Sequence, residues 1–234
     1  MSDKPIIEQL LAYLAPDRAA AILGGPALPE TDSGAVLFSD ISGFTPLTEA
    51  VFARFGPRRG GEYFTDRLNA VYDALISEVV RFGGSIVSFA GDAMFVWFAG
   101  DDGARAVTAA LHLQRAMEQF ARVELPDGGT VSLGMKVAVA TGTVRRFAVG
   151  DPRVQRLDIL AGAVMEHVAA CEGAASRGEI IVDAGTARRL GARLDVREWR
   201  RLPPGVDPAE VAVVTGMATE VAPHAGTLPL AGKP

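Results

Sequence analysis

Two carboxylates carry the chemistry suggested by this chain, Asp40 and Asp92. Asp40 leaves the apolar run Ala35-Val36-Leu37-Phe38, which reads as a short buried strand. Asp92 follows Gly91 between two β-rich runs, residues 85–90 and 93–98, and a Gly-Asp pair there predicts a hairpin. If the two strands are neighbours, both carboxylates project at one sheet edge. Paired hard oxygen ligands on a rigid frame suit Mg²⁺ or Mn²⁺, ions that also take phosphate oxygens and water. Taken singly, each aspartate reads first as a simple turn former. The residues after Asp40 add an anion site. Ile41, Ser42, Gly43, Phe44 and Thr45 read as a short turn opening a helix, with Thr45 as N-cap and Pro46 at the first helical position. N–H groups at a helix start face outward with the positive end of the dipole. Beside a metal carboxylate, that suits a triphosphate; an ordinary strand-to-helix turn would use the same residues.

The elements that must position these groups follow in order. Residues 5–23 are helix-spaced, split by Pro16, and Gly24-Gly25-Pro26 ends them. A helix after Pro46 is interrupted at Gly56-Pro57 and Gly60-Gly61, and residues 62–82 form a long amphipathic helix whose apolar stripe includes Tyr72. After the hairpin come a helix over 101–121, a turn at Pro126-Asp127-Gly128-Gly129, and strands over 131–140 and 143–149. A helix over 162–174, a strand over 179–182, a short helix over 184–190, and strands over 194–201 and 210–215 complete the pattern. This order predicts helices packed on a mixed sheet, α+β or α/β. The organisation expected is a helical lead over 1–33, one domain over 34–217, and a Pro- and Gly-containing linker or tail over 218–234.

Composition narrows the partners. The 234 residues are 49% hydrophobic and 22% charged, which excludes a disordered chain. A net charge of −5 gives no general pull on nucleic acid or anionic lipid, so neither nucleic acid nor membrane is expected as a partner. Cys171 is the single cysteine and reads as a small core residue, so no disulfide framework is expected. No apolar run reaches membrane-spanning length and no signal-peptide pattern opens the chain, which makes a cytoplasmic setting the default. Arg145, Arg146, Arg153 and Arg156 read as a solvated loop; His112 and His167 read as satisfied helix-surface residues.

The segment Gly34-Ala35-Val36-Leu37-Phe38-Ser39-Asp40-Ile41-Ser42-Gly43-Phe44-Thr45 resembles the first metal motif of class III nucleotide cyclases. Gly83-Gly84-Ser85-Ile86-Val87-Ser88-Phe89-Ala90-Gly91-Asp92-Ala93 resembles their second, with fitting spacing, and the similarity extends over residues 34–215. The resemblance implies a ferredoxin-like α+β domain working as a head-to-tail pair, with active sites at the interface. It implies two Mg²⁺ or Mn²⁺ ions per complete site, on Asp40, Asp92 and the backbone carbonyl of Ile41. It implies attack of a ribose 3′-hydroxyl on the α-phosphorus with loss of pyrophosphate, a phosphoryl transfer run by positioning and charge neutralisation. The amides of Ile41 to Thr45 would hold phosphate. Lys136, a cation in an apolar run, is a further phosphate contact or an outward strand lysine. ATP is the expected substrate, ahead of GTP, giving cyclic AMP.

The partner-facing half departs from that pattern. Where the family has a base-reading Lys, this chain has Ser88; where it has a base-reading Asp or Thr, Ile159 stands, with Asp158 next door. The transition-state Asn and Arg are replaced by Glu166 and Ala170. Groups that would meet developing charge are therefore missing. The pattern resembles the first of two cyclase domains in soluble-type, bicarbonate-responsive adenylyl cyclases. Their bicarbonate contacts would fall on Ser88 and Ala169, neither a cation, so sensing by those contacts is not expected. The expectation is a metal-binding half completed by a complementary domain, in trans or in a longer chain, and an isolated chain or homodimer of low activity. The alternatives are a silent cyclase-like domain that binds Mg-nucleotide or dimerises to regulate a partner, and a diguanylate cyclase, whose Gly-Gly-acid-Glu-Phe tip the hairpin lacks.

Overall fold

The computed structural model describes residues 11, 13–125, 128–151 and 153–224. The elements are α1 (Pro16–Ile22), β1 (Thr31–Ser42), α2 (Phe44–Arg81), β2 (Ser85–Ala90), β3 (Ala93–Ala99), α3 (Ala104–Glu118) and β4 (Val123–Glu124). They continue with β5 (Thr130–Val131), β6 (Gly134–Val149), β7 (Leu157–Ala161), α4 (Ala163–Ala174), β8 (Ile180–Asp183), α5 (Ala184–Leu190), β9 (Leu194–Arg201) and β10 (Glu210–Met217). The main sheet runs β2-β3-β1-β6-β8-β10-β9, with β7 paired to the far end of β6. β6 and β8 are parallel and the other pairs antiparallel, so this is the mixed sheet of an α+β fold.

Side-chain alternation along β1 divides the interior. Leu37 and Ile41 enter a core built with Leu47, Leu75, Val96, Leu113 and Met135, where α2 and α3 pack. Val36 enters the opposite core with Trp97, Ala138, Ala140, Val164 and Cys171, where α4 packs. The period of two puts Asp40 on the same face as Val36 and Phe38, the α4 face. Cys171 is fully buried and burial pushes its thiol well above the ordinary range, so it serves as a core side chain.

Several sequence expectations change. β1 extends from Thr31 through Ser42, because Ile41 and Ser42 still pair with Met135 and Gly134; the predicted strand was only its centre. Thr45 does not cap α2. Gly43 is the N-cap residue at φ 106°, so Thr45 lies inside the first turn and Pro46 one residue further. The break in α2 falls at Gly56 (φ 69°), followed by Pro57, while Gly60 and Gly61 stay helical. β6 runs unbroken through Gly142, held by β1 along its length, and the absent Cβ there is what lets Val164 approach. β7 is a strand the sequence did not announce.

Arg146 does not lie in a solvated loop. Its guanidinium is 4% exposed and pairs with Asp17 of α1 and Asp158 of β7. Arg18 also grips Asp158, at 2.6 Å, and Asp17 takes a hydrogen bond from Ser85. These charges pin α1 to the sheet. His112 contacts Glu78 and Glu220, and His167 contacts Asp207, as satisfied surface histidines. The predicted helix over 5–23 is helical at Pro16–Ile22 and otherwise lies partly outside the described residues, as do the turn at Pro126-Asp127 and the chain beyond residue 224. Residues 218–224 run along the domain, with Val221 N–H donating to Thr108 and His224 N–H to the Arg81 carbonyl.

Candidate active site

Sheet register brings the two aspartates to one edge. Asp40 pairs across β1 and β3 with Ala93, and Ala93 closes the hairpin against Ala90, leaving Gly91 and Asp92 as its two-residue tip. Gly91 takes φ 65°, which the tight turn requires. The Ile41 N–H reaches the Asp92 carbonyl at 3.4 Å, tying the two motifs together by backbone. Both carboxylates also act on one phenol. The Tyr72 hydroxyl is held above its ordinary pKa by burial, then by the charges of Asp92 and Asp40. Tyr72 stands edge-on to Phe89 of β2 at 5.4 Å and near Phe44 at 6.5 Å, so an aromatic group floors the hairpin.

Beyond Asp40 the segment divides its tasks. Ile41 is 1% exposed, its side chain in the core, and its amide is already engaged by Asp92. It is therefore not a free phosphate-binding amide, and what it has to offer a ligand is its carbonyl. Ser42 is exposed and donates its hydroxyl to the Gly134 carbonyl at 3.2 Å. Gly43 is obligatory: a Cβ there would lie 2.4 Å from the Ser132 carbonyl oxygen, and its φ favours glycine. Phe44 buries its ring near Phe64 and Tyr72, and Thr45 is exposed. The N–H groups of this first turn have no intrahelical acceptors, which leaves Phe44 and Thr45 available to an anion.

Lys136 lies directly opposite Asp40 on β6, its Nζ 3.3 Å from Asp40 Oδ2. The same ammonium pairs with Glu172 of α4. Lys136 is thus neither a free outward lysine nor remote from the aspartates. Its pKa is raised, most strongly by Glu172, against burial and with further help from Asp40. Sequence reasoning missed Glu172 and Tyr72. Tyr72 looks like one more core residue in a helical stripe, and no local pattern links Glu172 to a lysine on another element.

The donor atoms this edge offers a cation are oxygens, two carboxylates and a backbone carbonyl, with the Lys136 ammonium beside Asp40; that donor set fits a hard divalent cation with positions left for water and phosphate oxygens. Among the described residues no group of three or more His, Cys, Asp or Glu could hold a metal. The residues at the positions expected to face a partner are different in kind. Ser88 is exposed, Ile159 is 42% exposed, and Glu166 is exposed on α4. Asp158 is consumed by Arg18 and Arg146, which hold its carboxyl below the ordinary range against burial. It is not a displaced base reader.

The fold is a mixed sheet with helices on both faces, with two aspartates at one hairpin edge. The chain belongs to the family described as adenylate and guanylate cyclase catalytic domain, whose model matches residues 27–202. It is 26% identical over 190 residues to adenylate cyclase type 10 of Rattus norvegicus, covering 78% of this chain and 11% of that protein. The corresponding protein of Homo sapiens is 26% identical over 185 residues, covering 77% and 11%. The chain therefore spans about a tenth of the length of these curated relatives. Among solved structures it is similar to the guanylyl cyclase Cya2, with TM-score 0.65, 25% identity, and 80% and 93% of the two chains covered. The adenylyl cyclase CyaB from P. aeruginosa shares the fold, with TM-score 0.65, 21% identity, and 82% and 98% covered. No helix among the described residues is long and apolar enough to cross a membrane.

Proposed function

We propose that this domain is the metal-binding half of an adenylate cyclase site that a complementary cyclase domain completes. The observation that carries this reading is the register pairing Asp40 with Ala93, which sets Asp92 beside it. Asp40, Asp92 and the carbonyl of Ile41 would hold Mg²⁺ or Mn²⁺, two ions in the complete site. When bound, these ions supply charge neutralisation at the triphosphate and lower the cost of deprotonating the 3′-hydroxyl. The chain's own groups do the rest. Phe44 and Thr45 offer amides to phosphate oxygens, Ser42 and Gly43 keep that turn close to Asp40, and Lys136 offers an ammonium on the same face.

ATP as substrate is supported by the adenylate cyclase relatives, whereas the similar solved structures include enzymes described as acting with either nucleotide. Base discrimination belongs to the partner, since Ser88 and Ile159 offer little to a purine edge and Asp158 is committed elsewhere. The test is complementation. The purified chain with Mn²⁺ and ATP should make little cyclic AMP, and adding a second cyclase domain from a tandem homologue should restore turnover. Brisk production by the chain alone would overturn the half-site reading. A cytoplasmic setting is part of this proposal.

The silent-module reading has its own support in Glu166 and Ala170, which put an anion and a methyl where developing charge must be met. Failure of complementation together with retained Mg-nucleotide binding, read by calorimetry, would favour it.

A further inference from the structure

Lys136 is shared between two carboxylates from two other elements. Its Nζ lies 3.3 Å from Asp40 on the neighbouring strand β1 and in contact with Glu172 in the last turn of α4, across the face that α4 covers. All three side chains are partly buried, at 27%, 28% and 30% exposure, so water screens them incompletely. An ammonium beside Asp40 and a divalent cation on Asp40 compete for the same negative charge. With Glu172 present, the ammonium has a second carboxylate to lean on. Without it, Asp40 is the carboxylate left to Lys136.

We propose that Glu172 is a positioning residue: it shares the Lys136 ammonium with Asp40, so that Asp40 is only partly neutralised and can take a divalent cation while the ammonium stays near arriving phosphate. This rests on the reading that Asp40 takes such a cation. Glu172 neutralises Lys136 without touching metal or nucleotide, and α4 supplies it from outside both metal motifs. A merely structural role would be a tie between α4 and β6, indifferent to what occupies Asp40.

The two roles separate in Mn²⁺ affinity, measured on the nucleotide-free full chain from the paramagnetic resonance signal of the free ion. Glu172→Gln should weaken Mn²⁺ binding about fivefold, the size of one partly screened ion pair. Lys136→Met should tighten it, and the double variant Glu172→Gln with Lys136→Met should return to wild-type affinity or better. Unchanged affinity in Glu172→Gln, or a double variant as weak as Glu172→Gln, would overturn the positioning role. Asp40→Asn is the control for the underlying reading: wild-type Mn²⁺ binding that survives it, or its absence from the wild type, would remove the metal assignment and the inference with it. Thermal unfolding of each variant checks that affinities come from folded chains.

Discussion

The N–H of Ile41 meets the carbonyl oxygen of Asp92 at 3.4 Å, so the residue after the first carboxylate is tied by backbone to the second. Neither aspartate can shift along the sheet without breaking the β1–β3 register that pairs Asp40 with Ala93. The proposed metal site, assembled from two distant motifs, would require this rigidity.

From it follows the first prediction. Asp40→Asn and Asp92→Asn should each lower turnover of the complemented enzyme about 100-fold or more, because each removes a charge from the oxygen donor set. Circular dichroism should stay native, since both side chains are at least partly exposed at the edge. Cyclic AMP production at saturating Mn²⁺ and ATP is the measurement.

Gly43→Ala should damage both stability and phosphate binding. The new Cβ would meet the Ser132 carbonyl, and alanine pays for φ 106°. A loss of about 1–3 kcal/mol in urea unfolding is expected, with weaker binding of a non-hydrolysable ATP analogue by the complemented enzyme.

Arg146→Met should destabilise the domain by about 3 kcal/mol, because it leaves Asp17 and Asp158 facing each other with Arg18 as the remaining cation of that cluster. Hydrogen exchange should show α1 released before the sheet opens. Equal exchange in α1 of variant and wild type would contradict the pinning role.

Acid should act through Glu179, which precedes β8 and pairs with Arg197 and Arg200 of β9. Arg200 and Arg197 hold its carboxyl down to about 2, against an ordinary 4.5. A depressed folded-state pKa means that its stabilising contribution is complete above about 4.5 and lost as pH falls toward 2. Glu179→Gln should therefore show a flatter fall of the unfolding temperature than wild type across that window, as followed by calorimetry.

Much of the site was legible in the chain because its signals are local. Gly91-Asp92 between two β-rich runs specified a hairpin tip, and the hairpin formed at those residues. Gly43 before a helix marked the turn, although the cap proved to be the glycine itself and not Thr45. The long strand β6 read as two because Gly142 resembles a break, and only pairing with β1 along its length carries it through.

Sequence alone determined the two aspartates and the strand and hairpin that carry them, because period-two alternation and a two-residue turn need only neighbouring residues to declare themselves; the element order left α+β and α/β both open, and the largely antiparallel sheet with its one parallel pair, β6–β8, decided for α+β. Tertiary structure decided which charges meet. Lys136 stands between Asp40 and Glu172, and Arg146 is buried between Asp17 and Asp158, its Nη1 bonded to an aspartate 129 residues away. Ion pairing depends on distance in space and on exclusion of water, and neither is set until the sheet order and the helices on its faces are in place.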